Sequence, residues 1–205
     1  MKILITAGPT REKIDPVRFI SNHSSGRMGY ALAQAALDAG HKVTLISGPV
    51  SISAPEGADL INVISAAEMA ESVKKHAPEA NAVIMCAAVA DYRPAHPLDS
   101  KIKKQSGNLV LELERTEDIL AALGKSKYPG QLLIGFAAET DDLEKNAVDK
   151  LRRKNLDWIA ANAVSDGFGT LTNRVTLFHR SGKKTVLPLG RKSDVARDIL
   201  KEVLS

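Results

Sequence analysis

Residues 15–29, DPVRFISNHSSGRMG, place Asn22, His23, Ser24 and Ser25 directly ahead of Gly26 and Gly29. An amide, hydroxyls and closely spaced glycines add little to a core, but together they suit an anion. Small residues let backbone N–H groups approach phosphate oxygens, and a helix that follows adds the positive end of its dipole. Upstream, Ile3, Leu4 and Ile5 read as a short buried strand, and residues 30–33 read as a helix. The segment therefore occupies the strand-to-helix connection where α/β proteins meet phosphate. An ordinary polar connection with a capping serine is the plainer reading of the same residues.

Further groups lie where they could serve such a site. Asp91 follows the apolar run 82–87, at the strand end where open sheets bind ligands. It could accept hydrogen bonds from a base or ribose, hold magnesium on phosphates, or simply form a turn. Residues 100–107, SKIKKQSG, read as a lysine-rich mobile flap closing over an anionic ligand. Phe136 ends another strand and could stack on a base, although a lone Phe among aliphatics is more often core. Lys150 and Lys154 stand four apart and share a helix face, so both can reach one anion. Cys86 sits in an apolar strand without an activating partner and reads as an inert thiol. His23 could act as a general base or hold its loop, the second being favoured. His41, His76, His96 and His179 show no metal-ligand spacing, which argues against zinc.

The elements that must position these groups alternate along the chain. Strands are expected at residues 42–46, 60–64, 82–87, 109–113, 132–138 and 158–161, and helices at 66–76, 118–124 and 142–155. Ser181-Gly182 marks a hairpin between 174–179 and 183–189, and Ser193 is expected to cap a final helix running to Leu204. The expected fold is α/β, a Rossmann-like doubly wound and mainly parallel sheet with a C-terminal β-hairpin appendage. Residues 1–205 are read as a single nucleotide-binding ligase domain.

Bulk properties narrow the class. The chain has 205 residues, 44% hydrophobic and 25% charged, the balance of a water-soluble globular protein with room for one α/β core. No apolar run approaches the ~20 residues of a bilayer span. A lone cysteine fits a reducing, cytoplasmic setting. The net charge of +4 is concentrated in lysine-rich clusters without interleaved aromatics, which favours acidic small molecules over nucleic acid. The chain contains no GxGxxG, no acidic residue at the end of the second strand, no YxxxK and no Walker-type loop. A dehydrogenase is thereby disfavoured, and the site must be assembled from several strand ends. A nucleotide-binding module without turnover is the non-catalytic alternative.

Five ordered segments are more specific: ITAGPTREKIDPVRFISNHSSGRMG, AAVADYRP, KIKKQ, IGFAAET and RRKNLDWIAAN. In this order and spacing the chain resembles, over essentially its whole length, bacterial phosphopantothenate–cysteine ligase, the phosphopantothenoylcysteine synthetase of coenzyme A biosynthesis. The resemblance implies a reaction in which the carboxylate of 4′-phosphopantothenate attacks the α-phosphate of CTP. Pyrophosphate leaves, and the amine of L-cysteine then displaces CMP from the acyl-cytidylate, giving 4′-phospho-N-pantothenoylcysteine. It also implies magnesium (or manganese), a homodimer, for which the insertions around 15–19 and 161–173 could supply contacts, and a flavin-dependent decarboxylase partner. With none preceding Met1, the chain is expected to be a stand-alone enzyme or an excised C-terminal domain.

By the same resemblance Asn22 serves the acyl-nucleotide intermediate, and Lys101 neutralises phosphate charge during activation. Met85, Cys86, Ala87, Asp91, Glu117, Asp118, Ile119, Leu120, Phe136, Lys150 and Lys154 match nucleotide contacts, while Ser24, Ser25 and Gly26 are expected to cradle phosphate by their residue types alone. Asp91 is the one candidate metal ligand. One departure stands out: where the family reads N-P-D-I, this chain has Arg115-Thr116-Glu117-Asp118-Ile119.

Overall fold

Unbroken apolar runs become central parallel strands because a strand covered on both faces has no solvent side to alternate towards. The computed structural model describes residues 1–104, 106–167 and 170–205. Gln105 of the lysine-rich segment, and Phe168 and Gly169 of the segment 161–173, lie outside the described residues.

The chain opens with β1 (Lys2–Ala7), then the ribbon β2 (Glu12–Lys13) and β3 (Phe19–Ile20), then α1 (Arg27–Asp38). Next come β4 (Lys42–Ser47), β5 (Asp59–Asn62), α2 (Ala66–His76) and β6 (Ala82–Met85). A second ribbon, β7 (Tyr92–Pro94) and β8 (Leu113–Arg115), precedes α3 (Ile119–Lys125). After these run β9 (Leu132–Glu139), α4 (Leu143–Arg153), β10 (Trp158–Ala163) and α5 (Val164–Gly167). The end comprises β11 (Thr172–Asn173), β12 (Thr176–His179), β13 (Lys184–Val186), β14 (Gly190–Arg191) and α6 (Lys192–Val203).

One sheet has eight strands in the order β13-β12-β10-β9-β6-β1-β4-β5. The six strands from β10 to β5 are parallel, while β12 and β13 are antiparallel additions at one edge. Within β1 the side chains alternate: Ile3 and Ile5 pack towards α1 and α6, and Leu4 packs towards the layer of α2, α3 and α4. From β1 the chain steps outward to β4 and β5, then returns to β6 on the other side. That reversal opens a crevice beyond the carboxyl ends of β1 and β6, where open α/β sheets bind ligands.

The doubly wound α/β expectation is met, with three local differences. The C-terminal hairpin is continuous with the main sheet, since β12 pairs with β10 from Trp158↔His179 to Ala161↔Thr176. The expected strand 109–113 is displaced to Leu113–Arg115, the residues that pair with β7, and Val110 is 86% exposed. Ser193 does not cap α6; Arg191 holds that position, and the helix start is set by β14 pairing with β11.

Gly29 lets α1 lie directly on β1. A Cβ there would sit 2.5 Å from Ala7 Cβ and 3.1 Å from the Thr6 carbonyl oxygen. Neither neighbour has a flexible end to move aside. Gly29→Ala is expected to cost about 1–3 kcal/mol despite its better helix propensity. Urea denaturation checks this, and an unshifted midpoint would overturn it.

Candidate functional site

The loops that leave β1 and β6 are laced together by hydrogen bonds from small side chains. Thr6 Oγ1 accepts from the N–H groups of Cys86 and Ala87, both at 3.1 Å, and Thr10 Oγ1 accepts from Ala90 N at 3.0 Å. Asn22 Nδ2 donates to the Ala88 carbonyl at 2.7 Å, while its Oδ1 accepts from Ser24 N at 3.0 Å. The Asn22 amide therefore joins the first loop to the second.

The residues at the departure from the N-P-D-I pattern take part. Thr116 Oγ1 donates to the Ala90 carbonyl at 2.6 Å, and Asp118 caps α3 by accepting from Ala121 N at 3.0 Å.

Two cavities open on this framework. The first, about 180 Å³, is lined by Ser24, Ser25, Gly26 and Gly29, by Cys86, Ala87 and Ala88, and by Phe136. Gly26 takes φ +75°, a left-handed turn that aims the start of α1 into this space. The second, about 510 Å³, is lined by Asp91, Glu117, Asp118, Lys150 and Lys154 together with Arg115, Glu139 and Arg153. The cavities are neighbours: Lys150 Nζ from the second donates to the carbonyl oxygen of Phe136, in the wall of the first, at 3.2 Å.

Lys150 and Lys154 converge as their spacing on one helix face predicts. Burial pushes the Lys150 ammonium below the usual lysine range, and the neighbouring charge of Lys154 adds to this. Lys154 in turn meets Asp118 at 2.8 Å. Burial works against the Asp118 carboxylate, but the Lys154 hydrogen bond helps hold its pKa below the usual value.

Other predicted residues lie elsewhere. Met85 is a buried strand residue, and Ile119 and Leu120 are buried in the packing beneath α3; none of the three lines either cavity. Lys101 is exposed and outside both. Its neighbour Ile102 is anchored, donating its N–H to Asp15 Oδ2 at 3.1 Å and accepting from Arg18 at 3.0 Å. Asp15 is 2% exposed, and the Arg18 guanidinium beside it holds its carboxyl well below the usual carboxylate range. Sequence reasoning missed this clamp, whose parts are far apart in the chain.

It also missed Lys192, Asn162 and Asn173, which line the first cavity. For Lys192 and Asn173 no motif or periodicity was available as a signal. Asn162 closes the RRKNLDWIAAN segment and could have been found there.

Burial pushes the Cys86 thiol up to about 12, with the Lys192 charge pulling weakly the other way. At pH 8 the thiolate fraction is then on the order of 10⁻⁴. Iodoacetamide should therefore alkylate Cys86 far more slowly than an ordinary cysteine, as followed by mass spectrometry. Complete reaction within minutes would overturn this assignment.

The sequence matches the DNA/pantothenate metabolism flavoprotein C-terminal domain family over residues 1–205. The chain belongs to this family. Among its relatives is the coenzyme A biosynthesis bifunctional protein CoaBC of Bacillus subtilis, 53% identical over 98% of this chain and 50% of that protein. A protein named cysteine/cysteine sulfinic acid decarboxylase, from an unknown prokaryotic organism, is 50% identical over all of this chain and 58% of its own length. The chain thus spans little more than half the length of these relatives. The crystal structure of the C-terminal domain of a CoaBC protein superposes with a TM-score of 0.85 at 48% identity, covering 98% of this chain and 93% of that one. The flavoprotein C-terminal fold is therefore shared throughout. Among the described residues, no helix is long and apolar enough to cross a membrane.

Proposed function

We propose that this domain is a phosphopantothenate–cysteine ligase acting through an acyl-cytidylate. The observation that carries the reading is the pairing of the two cavities, joined where Lys150 of the second donates to the Phe136 carbonyl in the wall of the first, with Asn22 bonded to the first cavity's wall at Ala88. One cavity presents the start of a helix, as a phosphate needs. The other carries Lys150, Lys154 and Asp91, the side chains that the resemblance assigns to nucleotide.

The chemistry fits this division. A carboxylate resists attack by an amine because its oxide is a poor leaving group, whereas CMP leaves readily. The 4′-phosphopantothenate carboxylate attacks the α-phosphorus, expelling pyrophosphate. The cysteine amine then attacks the acyl carbon, losing a proton as CMP departs. Charge accumulates on phosphoryl oxygens in the first step, so positioned cations are the main contribution the protein can make. Lys150 and Lys154 are fixed in place, and Lys101 stands on the anchored segment beside Asp15.

No group of three metal-ligating side chains occurs among the described residues. The hard oxygen donors Asp91 and Glu139 in the second cavity suit a magnesium or manganese ion held mainly by substrate phosphates. Bound in that way, the ion would supply charge neutralisation on the polyphosphate.

We also assign a cytoplasmic setting and a homodimer joined near the β2–β3 ribbon. Val17 and Phe19 there are 59% and 48% exposed and offer apolar surface to a second copy. A flavin-dependent decarboxylase domain is the partner that the resemblance implies, in keeping with a chain that covers half of a bifunctional relative.

Pyrophosphate release by the purified chain with 4′-phosphopantothenate, L-cysteine and magnesium tests the reading, with CTP compared against ATP. Release that needs both 4′-phosphopantothenate and CTP is expected. Preference for ATP would overturn the choice of nucleotide. No release with either, from folded protein that still binds nucleotide, would overturn the ligase.

A further inference from the structure

The first cavity has a charge imbalance. Lys192 and Arg27 are in its wall, and none of the side chains lining it is acidic. Lys192 is only 8% exposed and forms no ion pair among the described residues. Its Nζ donates to the Gly167 carbonyl at 2.8 Å, which occupies one of the three donors of an ammonium group.

Its placement is electrostatically adverse in two further respects. It is the first residue of α6, where the helix dipole is positive. Across the cavity begins α1, also by its positive end, with no capping side chain and no acid in its first turn. By contrast, α2 is capped by Ser65 and α3 by Asp118. Burial accordingly pushes the Lys192 pKa below the usual lysine value, with Arg27 adding to the effect and Cys86 opposing it. A buried cation beside another cation is costly unless an anion joins it.

We propose that Lys192 is a binding residue, its ammonium holding a substrate phosphate group in this cavity against the start of α1. The identity of the phosphate rests on the ligase reading. It is either the 4′-phosphate of 4′-phosphopantothenate or the polyphosphate of CTP, and the test separates them.

Lys192→Gln keeps a donor for the Gly167 carbonyl while deleting the charge. Calorimetric titration of the whole chain should show affinity for one of the two ligands falling about 10- to 100-fold, as expected for one charge-assisted hydrogen bond. If that ligand is 4′-phosphopantothenate, the variant also loses its preference over unphosphorylated pantothenate. If it is CTP, it loses its preference over cytidine. Lys192→Arg keeps the charge and should retain most of the affinity.

The melting temperature of the ligand-free Lys192→Gln protein should hold or rise, because an uncompensated buried charge is gone. Unchanged affinity for both ligands would overturn the proposal, whatever the melting temperature. A neutral variant unable to fold would overturn it too, since the charge would then be needed without any ligand. Binding is read without turnover, so a chain that binds phosphate through Lys192 yet makes no product would defeat the ligase reading alone.

Discussion

Asn22→Asp is expected to lower product formation by about 10²–10³-fold, the loss found when one positioned donor is removed from an acyl- or phosphoryl-transfer site. The substitution is nearly isosteric, and the retained oxygen still accepts from Ser24 N. The Nδ2 position changes character. It now donates to the Ala88 carbonyl at 2.7 Å; in the variant a carboxylate oxygen faces that carbonyl without a proton between them. The loop 86–91 must shift, and a negative charge enters the proposed anion site. On the proposed route, activation by CTP still proceeds and the attack by cysteine is impaired. Pyrophosphate release in the first turnover should therefore exceed product, and the acyl-cytidylate should accumulate in acid-quenched samples. Full product formation by a folded variant would remove Asn22 from the reaction.

Asp157→Ala is expected to cost about 3–5 kcal/mol of stability, the range for stranding one member of a buried ion pair. The Asp157 side chain is 9% exposed and that of Lys127 is 14% exposed, with 2.6 Å between them. The same carboxylate accepts from Leu133 N at 2.8 Å and from Arg180 at 3.2 Å. Removal leaves a buried ammonium without a counter-charge and a buried N–H without an acceptor. Asp157→Asn, which still offers Leu133 an acceptor, should lose less. Urea denaturation measures both, and a cost below about 1 kcal/mol for the alanine variant would contradict the argument. Asp157 lies at the amino end of β10, opposite the edge that carries the crevice, so the activity of the remaining folded protein should be unchanged. This distinguishes it from Asn22, whose effect is on rate.

Several features were legible in the residues themselves. The apolar runs 3–5 and 82–87 read as buried strands because burial on both faces leaves no polar positions. The helix face shared by Lys150 and Lys154 follows from a period of 3.6 residues, and the placing of 24–29 at a cavity from residue types that a core does not use. All of these are local properties, set within a few residues by geometry and chemistry. The family, too, could be recognised from short ordered motifs.

Tertiary structure decided the rest. The segment 109–113 has strand composition, but the strand forms at Leu113–Arg115, where β7 supplies a partner, and pairing is a property of two segments. Ser193 has the right residue type for a cap, yet β14 pairing with β11 starts α6 before it. Cys86 reads as inert from sequence, but its place beside a buried lysine depends on where α6 returns to the sheet. The Asp15–Arg18–Ile102 clamp and the Asp157 cluster join residues that no local pattern connects. Lys192 is the clearest case. As sequence it is one lysine between an arginine and a serine; folding places it in a cavity without acids, where its charge has a cost that only an anion offsets.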